Sequence, residues 1–412
     1  MPICVTGVEG NDVIDADGNR YLDFSSGSGV VNAGWQREEV AAVVKDQVDR
    51  LSYCAPWFPT REAVELSELL VSITPKRLVR CGRATGGADA NELICRAAYA
   101  LTGKRGVLTL TRSYHGGSRL AVNLSDAAAF RLPLIPIEED YHKVSAPDCF
   151  RCPLHLQPET CGLACAELVE EAIAGNLDIG LFLCEPVMGS GGVILPPPGY
   201  LHRIQAICRA HDVVFALDEV MTGFGRLGWM TAAEGYELEA DAISFGKALG
   251  GGMVPIGAAV LSEELATAVT QFEDVSPTFA WTPLACAAAT ANIHLIIEED
   301  LPARSQRLGA TLLSELRRLF ATHLAERTGD VRGQGLMVGI ELVRDQETKI
   351  PAQSLMRRFV IGLVREGLMV KVSWDFKVII LMPPLNLSEI DLERGLGIIQ
   401  RQLQTLESGN RR

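Results

Sequence analysis

Two residues that each follow an apolar run could together perform the chemistry of one cofactor. Asp218 directly follows the run 213–217, and Lys247, twenty-nine positions later, comes just after the run 242–245. We predict both runs to be buried strands, and open parallel sheets bind ligands at the edge where such strands end. A lysine there can hold an aldehyde as a Schiff base, and a carboxylate can keep a pyridine nitrogen protonated so that the ring accepts electrons. The pair therefore predicts a catalytic site for pyridoxal phosphate.

A glycine turn at the start of a predicted helix could bind the phosphate of such a cofactor. The segment 85–92 opens this helix, which ends at Gly103. Gly86 and Gly87 let backbone N–H groups close on an anion, and the helix dipole favours its negative charge. The same residues also fit an ordinary helix cap with acids in its first turn. Beside Asp218, they favour a phosphate site.

Two further segments follow predicted strands and should reach the same edge of the sheet. Tyr114 and His115 come after the run 107–110, where an aromatic ring can stack on a flat cofactor. Glu185 follows the run 180–184 and places a carboxylate near the same pocket. Packing is the alternative for the Tyr114-His115 pair, and a salt bridge at the strand end is the alternative for Glu185.

Strands and helices alternate from about residue 62, which predicts an α/β fold with a mainly parallel sheet covered on both faces. The predicted strands of this sheet are 107–110, 180–184, 213–217, 242–245 and 258–261. A hairpin over 12–24 and a helix over 38–51 precede the sheet, and a helix over 283–299 follows it. A smaller α+β part comes last, with strands 336–342 and 378–382 and helices 355–366 and 390–406.

The length of the chain predicts more than one domain, because 412 residues exceed what one hydrophobic core usually organises. We predict that residues 1–45 form the N-terminal part of a small domain. Residues 46–290 should form the large cofactor-binding domain, and residues 291–412 the C-terminal α+β part of the small domain.

Charge and hydropathy exclude several classes of function. The chain has 38 basic and 51 acidic residues, so a broad basic face for nucleic acid or an anionic membrane is not expected. No segment approaches about eighteen uninterrupted apolar residues, as a membrane span would require. The first thirteen residues lack the basic flank and apolar stretch of a signal peptide. We predict a cytoplasmic protein whose partners are small molecules.

The cysteines leave one question open. Most of the eleven lie in apolar runs as small core residues, as Cys184 does. Four others have a spacing that could hold zinc, namely Cys149, Cys152, Cys161 and Cys165. They also fit reduced thiols in a covering loop, and we include no metal among the predicted cofactors. Disulfides are not expected in a reducing compartment.

The motif Asp218-Glu219-Val220, with Gly223-Phe224-Gly225-Arg226 and then Lys247, resembles the signature of the class III aminotransferases. These are pyridoxal phosphate enzymes of fold type I, and the similarity runs nearly end to end. Further segments match the family in the right order: the hairpin 15–24, the phosphate loop 87–92, the ring-stacking turn 114–116, and the small-domain segments 332–337 and 383–385.

The resemblance implies a role for each matching residue at the cofactor ring. Lys247 would hold the cofactor and move a proton between two carbons, and Asp218 would pair with the pyridinium nitrogen. Tyr114 and Val220 would pack on opposite faces of the ring. Glu185 would lie beside the substrate end of the cofactor.

The resemblance also implies how the phosphate is bound and that the protein is a dimer. The backbone N–H groups of Gly87 and Ala88 would bind the phosphate, and His115 belongs to the adjoining cofactor-binding turn. Thr278 matches a threonine that reaches the phosphate from the neighbouring subunit. This match implies a homodimer with active sites at the interface.

Several departures from the family concern the substrate. Trp57 and Phe58 fall where relatives line the substrate pocket, and Trp281 adds bulk near the site. Many relatives that bind α-amino acids carry an arginine three residues before the Pro-Pro pair, where this chain has Ile380. Without that arginine, other groups must bind a substrate carboxylate. The cations available for this role are Lys371, Lys377, Arg80 and Arg83, although most surface cations are simply solvated.

The resemblance is more specific for the family than for the reaction. It implies an aminotransferase that moves an amino group, often a distal one, to a keto acid or aldehyde. A racemase, epimerase or aminomutase would use the same cofactor site and is the alternative. A non-catalytic homologue is a third possibility, against which the intact Asp218 and Lys247 count.

Overall fold

The computed structural model describes residues 3–126, 138–270 and 276–410, and its largest element is a seven-stranded sheet. The strands of this sheet are β4 (Leu78–Ala84), β5 (Gly106–Leu110), β6 (Tyr141–Val144), β7 (Ile179–Cys184), β8 (Val214–Asp218), β9 (Ala242–Phe245) and β10 (Gly257–Ser262). Their order across the sheet is β4-β10-β9-β8-β7-β5-β6. Within this sheet β10 runs antiparallel to both of its neighbours, and the other pairs are parallel. The predicted α/β fold with a mainly parallel sheet is confirmed.

The five predicted strands of this sheet are all present, with ends that differ by no more than one residue. Every residue of β7, β8 and β9 is buried, as expected for a parallel sheet with helices on both faces. The strands β4 and β6 were not predicted. Both lie at edges of the sheet, where partly exposed polar residues interrupt the apolar run that marks a central strand.

The described helices are α1 (Ser26–Gly29), α2 (Glu38–Arg50), α3 (Arg61–Ser72), α4 (Gly87–Thr102), α5 (Arg119–Leu124), α6 (Ala164–Gly175), α7 (Tyr200–Ala210), α8 (Ala232–Gly235), α9 (Glu263–Thr270), α10 (Pro283–Glu298), α11 (Leu301–His323), α12 (Gln353–Arg365) and α13 (Glu389–Asn410). Two 3-10 turns cover Lys247–Gly250 and Ala325–Arg327. The helix α4 begins at the predicted glycine turn and ends at Thr102, and the next residue, Gly103, adopts the left-handed conformation typical of a helix cap. No described helix is both long and apolar enough to cross a membrane.

Two four-stranded sheets form the rest of the framework. The first has the order β1 (Val5–Glu9), β2 (Asp12–Asp15), β3 (Arg20–Asp23) and β13 (Leu368–Met369), and it contains the predicted hairpin. The second has the order β11 (Thr328–Gln334), β12 (Met337–Leu342), β15 (Val378–Leu381) and β14 (Lys371–Val372). Because β3 pairs with β13, the N-terminal hairpin is joined to the C-terminal part of the chain. The domain limits at 45/46 and 290/291 stay predictions.

Candidate active site

Asp218 is the last residue of β8 and lies among three hydrogen-bond donors. Its side chain is nearly completely buried, and Oδ2 accepts hydrogen bonds from Asn91 Nδ2 at 2.8 Å and from His115 Nδ1 at 2.7 Å. The Val220 amide donates to Oδ1 at 3.0 Å. Burial alone would raise the pKa of Asp218, but the hydrogen bonds and the charge of His115 hold it below its ordinary value. The carboxylate is therefore ionised, as the partner of a protonated ring nitrogen must be.

Lys247 lies two residues beyond β9, at the same edge of the sheet. Its backbone φ of +40° is in the left-handed region that side-chain-bearing residues rarely adopt, and such strain is often found at functional sites. Burial lowers the pKa of Lys247, although the nearby carboxylates of Asp218 and Glu185 act in the opposite direction. A lowered pKa increases the fraction of neutral amine, which is the form that attacks an aldehyde.

Glu185 follows β7 and holds two backbone segments in place through hydrogen bonds. Its carboxylate accepts hydrogen bonds from the amides of Tyr114 and Gly189, each at 2.9 Å. Burial raises the pKa of Glu185, and the charge of His115 partly offsets that effect. The side chain thus fixes the Tyr114 turn through hydrogen bonds to backbone amides.

The predicted phosphate turn is built from segments that approach too closely for side chains. A Cβ atom at Gly87 would lie 2.6 Å from Val220 Cγ2, and one at Gly246 would lie 2.8 Å from the Gly87 amide nitrogen. A Cβ at Gly257 would lie 2.4 Å from the Gly86 carbonyl oxygen, yet one at Gly86 would meet no atom within 4 Å. The glycine turn is therefore packed at Gly87 and open at Gly86. The backbone N–H groups in the first turn of α4 have no acceptor within the helix, so they can bind an external anion.

These residues fit pyridoxal phosphate. Asp218 accepts three hydrogen bonds, so its two oxygens retain capacity for the ring N–H. Buried atoms without a hydrogen-bond partner among the described residues include Asn91 Oδ1 and His115 Nε2, next to that carboxylate. Lys247 supplies an amine of lowered pKa, and the Gly86-Gly87 turn supplies amides for the phosphate.

Asn91 is a residue of this arrangement for which the sequence predicted no role. It follows Gly87 by four positions on α4, which places it one helical turn further along, and its amide also donates to the His115 carbonyl oxygen at 2.9 Å. A polar residue on the face of α4 that packs on the sheet is the signal that could have revealed it. His115 is buried against Asp218, so it acts on that carboxylate.

The other predicted cofactor and substrate residues differ in exposure. Tyr114 and Val220 are partly buried near the glycine turn, whereas Thr278 is exposed. Trp57 and Phe58 are 74% and 59% exposed. The side chains of Trp57, Phe58 and Thr278 therefore lie on the surface of the single chain.

Trp281 lies on the other side of the glycine turn, inside the chain. Its indole is 4% exposed, and Nε1 donates a hydrogen bond to the Gly257 carbonyl oxygen at 2.7 Å. Since Gly257 packs directly on Gly86, the indole supports the predicted phosphate turn from behind. Its predicted contact with substrate stays a prediction.

Three of the four cations available for a substrate carboxylate have other partners. Arg80 pairs with Glu263, Lys377 pairs with Asp375, and Arg83 donates to the Pro56 carbonyl oxygen. Lys371 is different, because it is partly buried and interacts electrostatically with Lys247 and Glu185. It is therefore not a solvated surface cation.

The four cysteines of the possible zinc pattern line one small surface cavity together with Pro153 and Pro197. All four are free thiols. Within the described ranges, no group of three or more histidine, cysteine, aspartate or glutamate side chains is arranged to hold a metal ion.

Comparison with known proteins gives one consistent family. The family model "Aminotransferase class-III" matches residues 1–403. The chain is 33% identical to the acetylornithine aminotransferase of Methanothermobacter thermautotrophicus, covering 98% of this chain and 95% of that protein. It is 31% identical to the leucine/methionine racemase of Thermococcus litoralis, covering 99% and 92%. An amine transaminase structure from an uncultivated Pseudomonas species, described as PLP-bound, superposes with a TM-score of 0.93 at 29% identity, covering 98% of this chain and 95% of that one.

Proposed function

Because this chain belongs to the class III aminotransferases, which depend on pyridoxal phosphate, we propose that it transfers an amino group from an ω-amine or another non-α-amine donor to a keto acid or aldehyde. The observation that carries the pyridoxal phosphate chemistry of this proposal is the buried, ionised Asp218 at the same sheet edge as Lys247. When bound, the cofactor supplies an electron sink that makes a hydrogen on the amine-bearing carbon acidic.

Lys247 would be the residue that holds the cofactor aldehyde and later moves the proton. Its Nζ, freed when the substrate amine takes its place, would accept the proton from one carbon and return it to another. The carboxylate of Asp218 would keep the ring nitrogen protonated, and His115 and Asn91 would keep that carboxylate ionised and oriented. Glu185 would hold the turn that carries Tyr114 against the ring.

The proposed assembly is a cytoplasmic homodimer in which Thr278 reaches the phosphate of the partner subunit. Three exposed aromatic side chains of the single chain support this assembly. The side chains of Trp57, Phe58 and Phe279 are 74%, 59% and 69% exposed. Large exposed aromatic groups are typical of interaction surfaces. Phe279 adjoins Thr278, so burial of its ring in a dimer would carry Thr278 to the interface as well.

The preference for a donor without a carboxylate on the reacting carbon rests on the small sheet. Ile380 is fully buried in an apolar cluster that contains Met221, Met337 and Met382. This position therefore offers no guanidinium for bidentate binding of an α-carboxylate.

A racemase or epimerase is the second candidate, and one observation favours it. The leucine/methionine racemase of Thermococcus litoralis is similar over 99% of this chain. The same lysine and acid can serve either reaction, so the residues around Lys247 do not discriminate between the two.

The deciding experiment mixes the holoenzyme with one amine at a time in the absence of any keto acid. An aminotransferase converts about one equivalent of donor per site to carbonyl product, leaves the cofactor aminated, and stops until a keto acid is added. A racemase instead removes the optical activity of an α-amino acid over many turnovers with no carbonyl product. The Lys247→Ala variant is the control, and it should do neither.

A further inference from the structure

The sheet strand beside Ile380 carries a lysine that faces the candidate active site. Lys371 lies directly opposite Ile380 in the antiparallel pairing of β14 and β15, and opposed residues project from the same face of a sheet. On that face Ile380 packs in one cluster with Met221 and Met382. The same two methionines and Lys247 surround Gly29, where a Cβ would lie 3.7 Å from Met221, 3.9 Å from Met382 and 4.0 Å from Lys247. Lys371 therefore faces the side of the small sheet that borders Lys247.

The ammonium group of Lys371 is held by two hydroxyl groups. Its Nζ donates to Ser28 Oγ at 3.0 Å and lies 3.5 Å from Ser190 Oγ. Ser28 precedes Gly29, beside the Lys247 side chain, and Ser190 follows the segment whose amide donates to Glu185. The two serines thus fix the lysine between the segments that border Lys247 and Glu185.

Lys371 has no carboxylate partner within ion-pair distance among the described residues. Burial, and to a smaller extent the charge of Lys247, lower the pKa of its ammonium to about 8, while the charge of Glu185 acts in the opposite direction. A partly buried cation with only neutral partners is costly unless an anion joins it. Two of its three N–H donors point to the serines, which leaves one for such an anion.

We propose that Lys371 binds the carboxylate of the substrate and supplies the positive charge that Ile380 does not. The proposal rests on the proposed function, because it names the class of molecule that this same site accepts. The favoured substrates are amino acids whose carboxylate reaches Lys371 while their amine reaches Lys247, together with the matching keto acids. An ω-amino acid meets this requirement with its two ends.

The test measures binding of pentanoate, which has a carboxylate and no amine, to the holoenzyme by calorimetry. Pentanamide has nearly the same shape without the charge and is the matched ligand. Lys371→Gln should weaken pentanoate binding by about tenfold to a hundredfold, the range of one charge-assisted hydrogen bond, and should leave pentanamide binding unchanged. Lys371→Arg should retain most of the pentanoate affinity, because it keeps the charge.

The control variant is Lys377→Gln, which removes a lysine that directly precedes β15 and pairs with Asp375. It should bind pentanoate like the wild type, and all variants should melt within a few degrees of it. The proposal would be overturned if Lys371→Gln and Lys377→Gln bound pentanoate equally well. It would also be overturned if Lys371→Gln lost as much affinity for pentanamide as for pentanoate. Pentanoate binding requires no amino transfer, so the result stands even if the enzyme proves to be a racemase.

A kinetic readout then separates anchoring from catalysis. For 5-aminopentanoate, Lys371→Gln should raise KM by a similar factor and change kcat little, whereas the kinetics with pentylamine should stay the same. A large fall in kcat with both donors would show that Lys371 takes part in proton transfer, and it would overturn the anchoring role.

Discussion

His115 Nδ1 lies 2.7 Å from Asp218 Oδ2, and both side chains are buried. An ionised carboxylate only accepts hydrogen bonds, so Nδ1 carries the hydrogen and the imidazole donates it. The His115 amide in turn donates to Ser125 Oγ at 2.8 Å, which fixes the backbone of the histidine. His115 is thus a positioning residue that sets the charge and orientation of Asp218.

Replacing Asp218 tests the charge directly. Asp218→Asn should retain the cofactor but lower kcat by several orders of magnitude, because a neutral amide does not keep the ring nitrogen protonated. Steady-state kinetics with a saturated cofactor measure the effect. A variant within about tenfold of the wild type, a difference of about 1.4 kcal/mol in activation free energy, would assign the role to another group.

Replacing His115 should change the pH dependence of activity. The pKa of Asp218 is low because hydrogen bonds, first of all that from His115, outweigh the effect of burial. In His115→Phe burial acts with less opposition, so the pKa of Asp218 rises and the carboxylate protonates at higher pH. The acidic limb of the kcat/KM profile should therefore move to higher pH, with activity near the optimum reduced less than in Asp218→Asn.

The matched control for that experiment is another histidine. His142 lies on the edge strand β6 and contacts Asn176, away from Asp218. The profile of His142→Phe should overlay that of the wild type. An unshifted acidic limb in His115→Phe would mean that Asn91 and the Val220 amide suffice to keep Asp218 ionised.

The strand that ends in Asp218 and the strand that precedes Lys247 could be predicted because central strands of a parallel sheet are buried on both faces and appear as continuous apolar runs. The glycine turn could be predicted because close backbone approach and an open helix start both favour glycine. Edge strands such as β4 give no such signal.

The helix α11 was not predicted, although the sequence does indicate it. Its buried leucines recur at helical spacing, namely Leu308, Leu312, Leu316 and Leu319.

The contacts among side chains could not be predicted in the same way. Asn91, His115 and Asp218 come from three distant segments, and their hydrogen bonds depend on how α4 packs against the sheet. Lys371 lies on a two-residue strand, too short for any periodic pattern, and its place opposite Ile380 follows from strand register alone. Register is set by the hydrophobic pattern and the turn geometry, and two residues carry too little of that pattern to predict it.

Removing the amine of Lys247 should abolish turnover and leave the fold intact. Lys247→Ala eliminates the group proposed to hold the cofactor and to move the proton, while the glycine turn and Asp218 remain. The measurement is turnover together with the absorbance of the bound cofactor, and thermal melting of the cofactor-free protein checks the fold. Normal activity with an unchanged cofactor spectrum would rule out the assignment.

Thr278 should complete an active site that two subunits share. Thr278 is exposed in one chain, beside the exposed Phe279, and we predict that its hydroxyl reaches the phosphate bound by the partner subunit. Thr278→Ala should weaken retention of pyridoxal phosphate by the value of one charge-assisted hydrogen bond, about 1.5–3 kcal/mol, without affecting Lys247. Equilibrium dialysis of the cofactor measures this loss.

Heterodimers of two variants show which subunit Thr278 serves. When a Lys247→Ala subunit pairs with a Thr278→Ala subunit, a shared site places both changes in one pocket and leaves the other pocket intact. Differently tagged subunits, purified as the heterodimer, should then retain about one fully active site with wild-type cofactor affinity. If Thr278 served its own subunit, one pocket would lack the lysine and the other the threonine. The remaining activity would then show the weakened cofactor affinity of Thr278→Ala, and the shared-site prediction would be wrong.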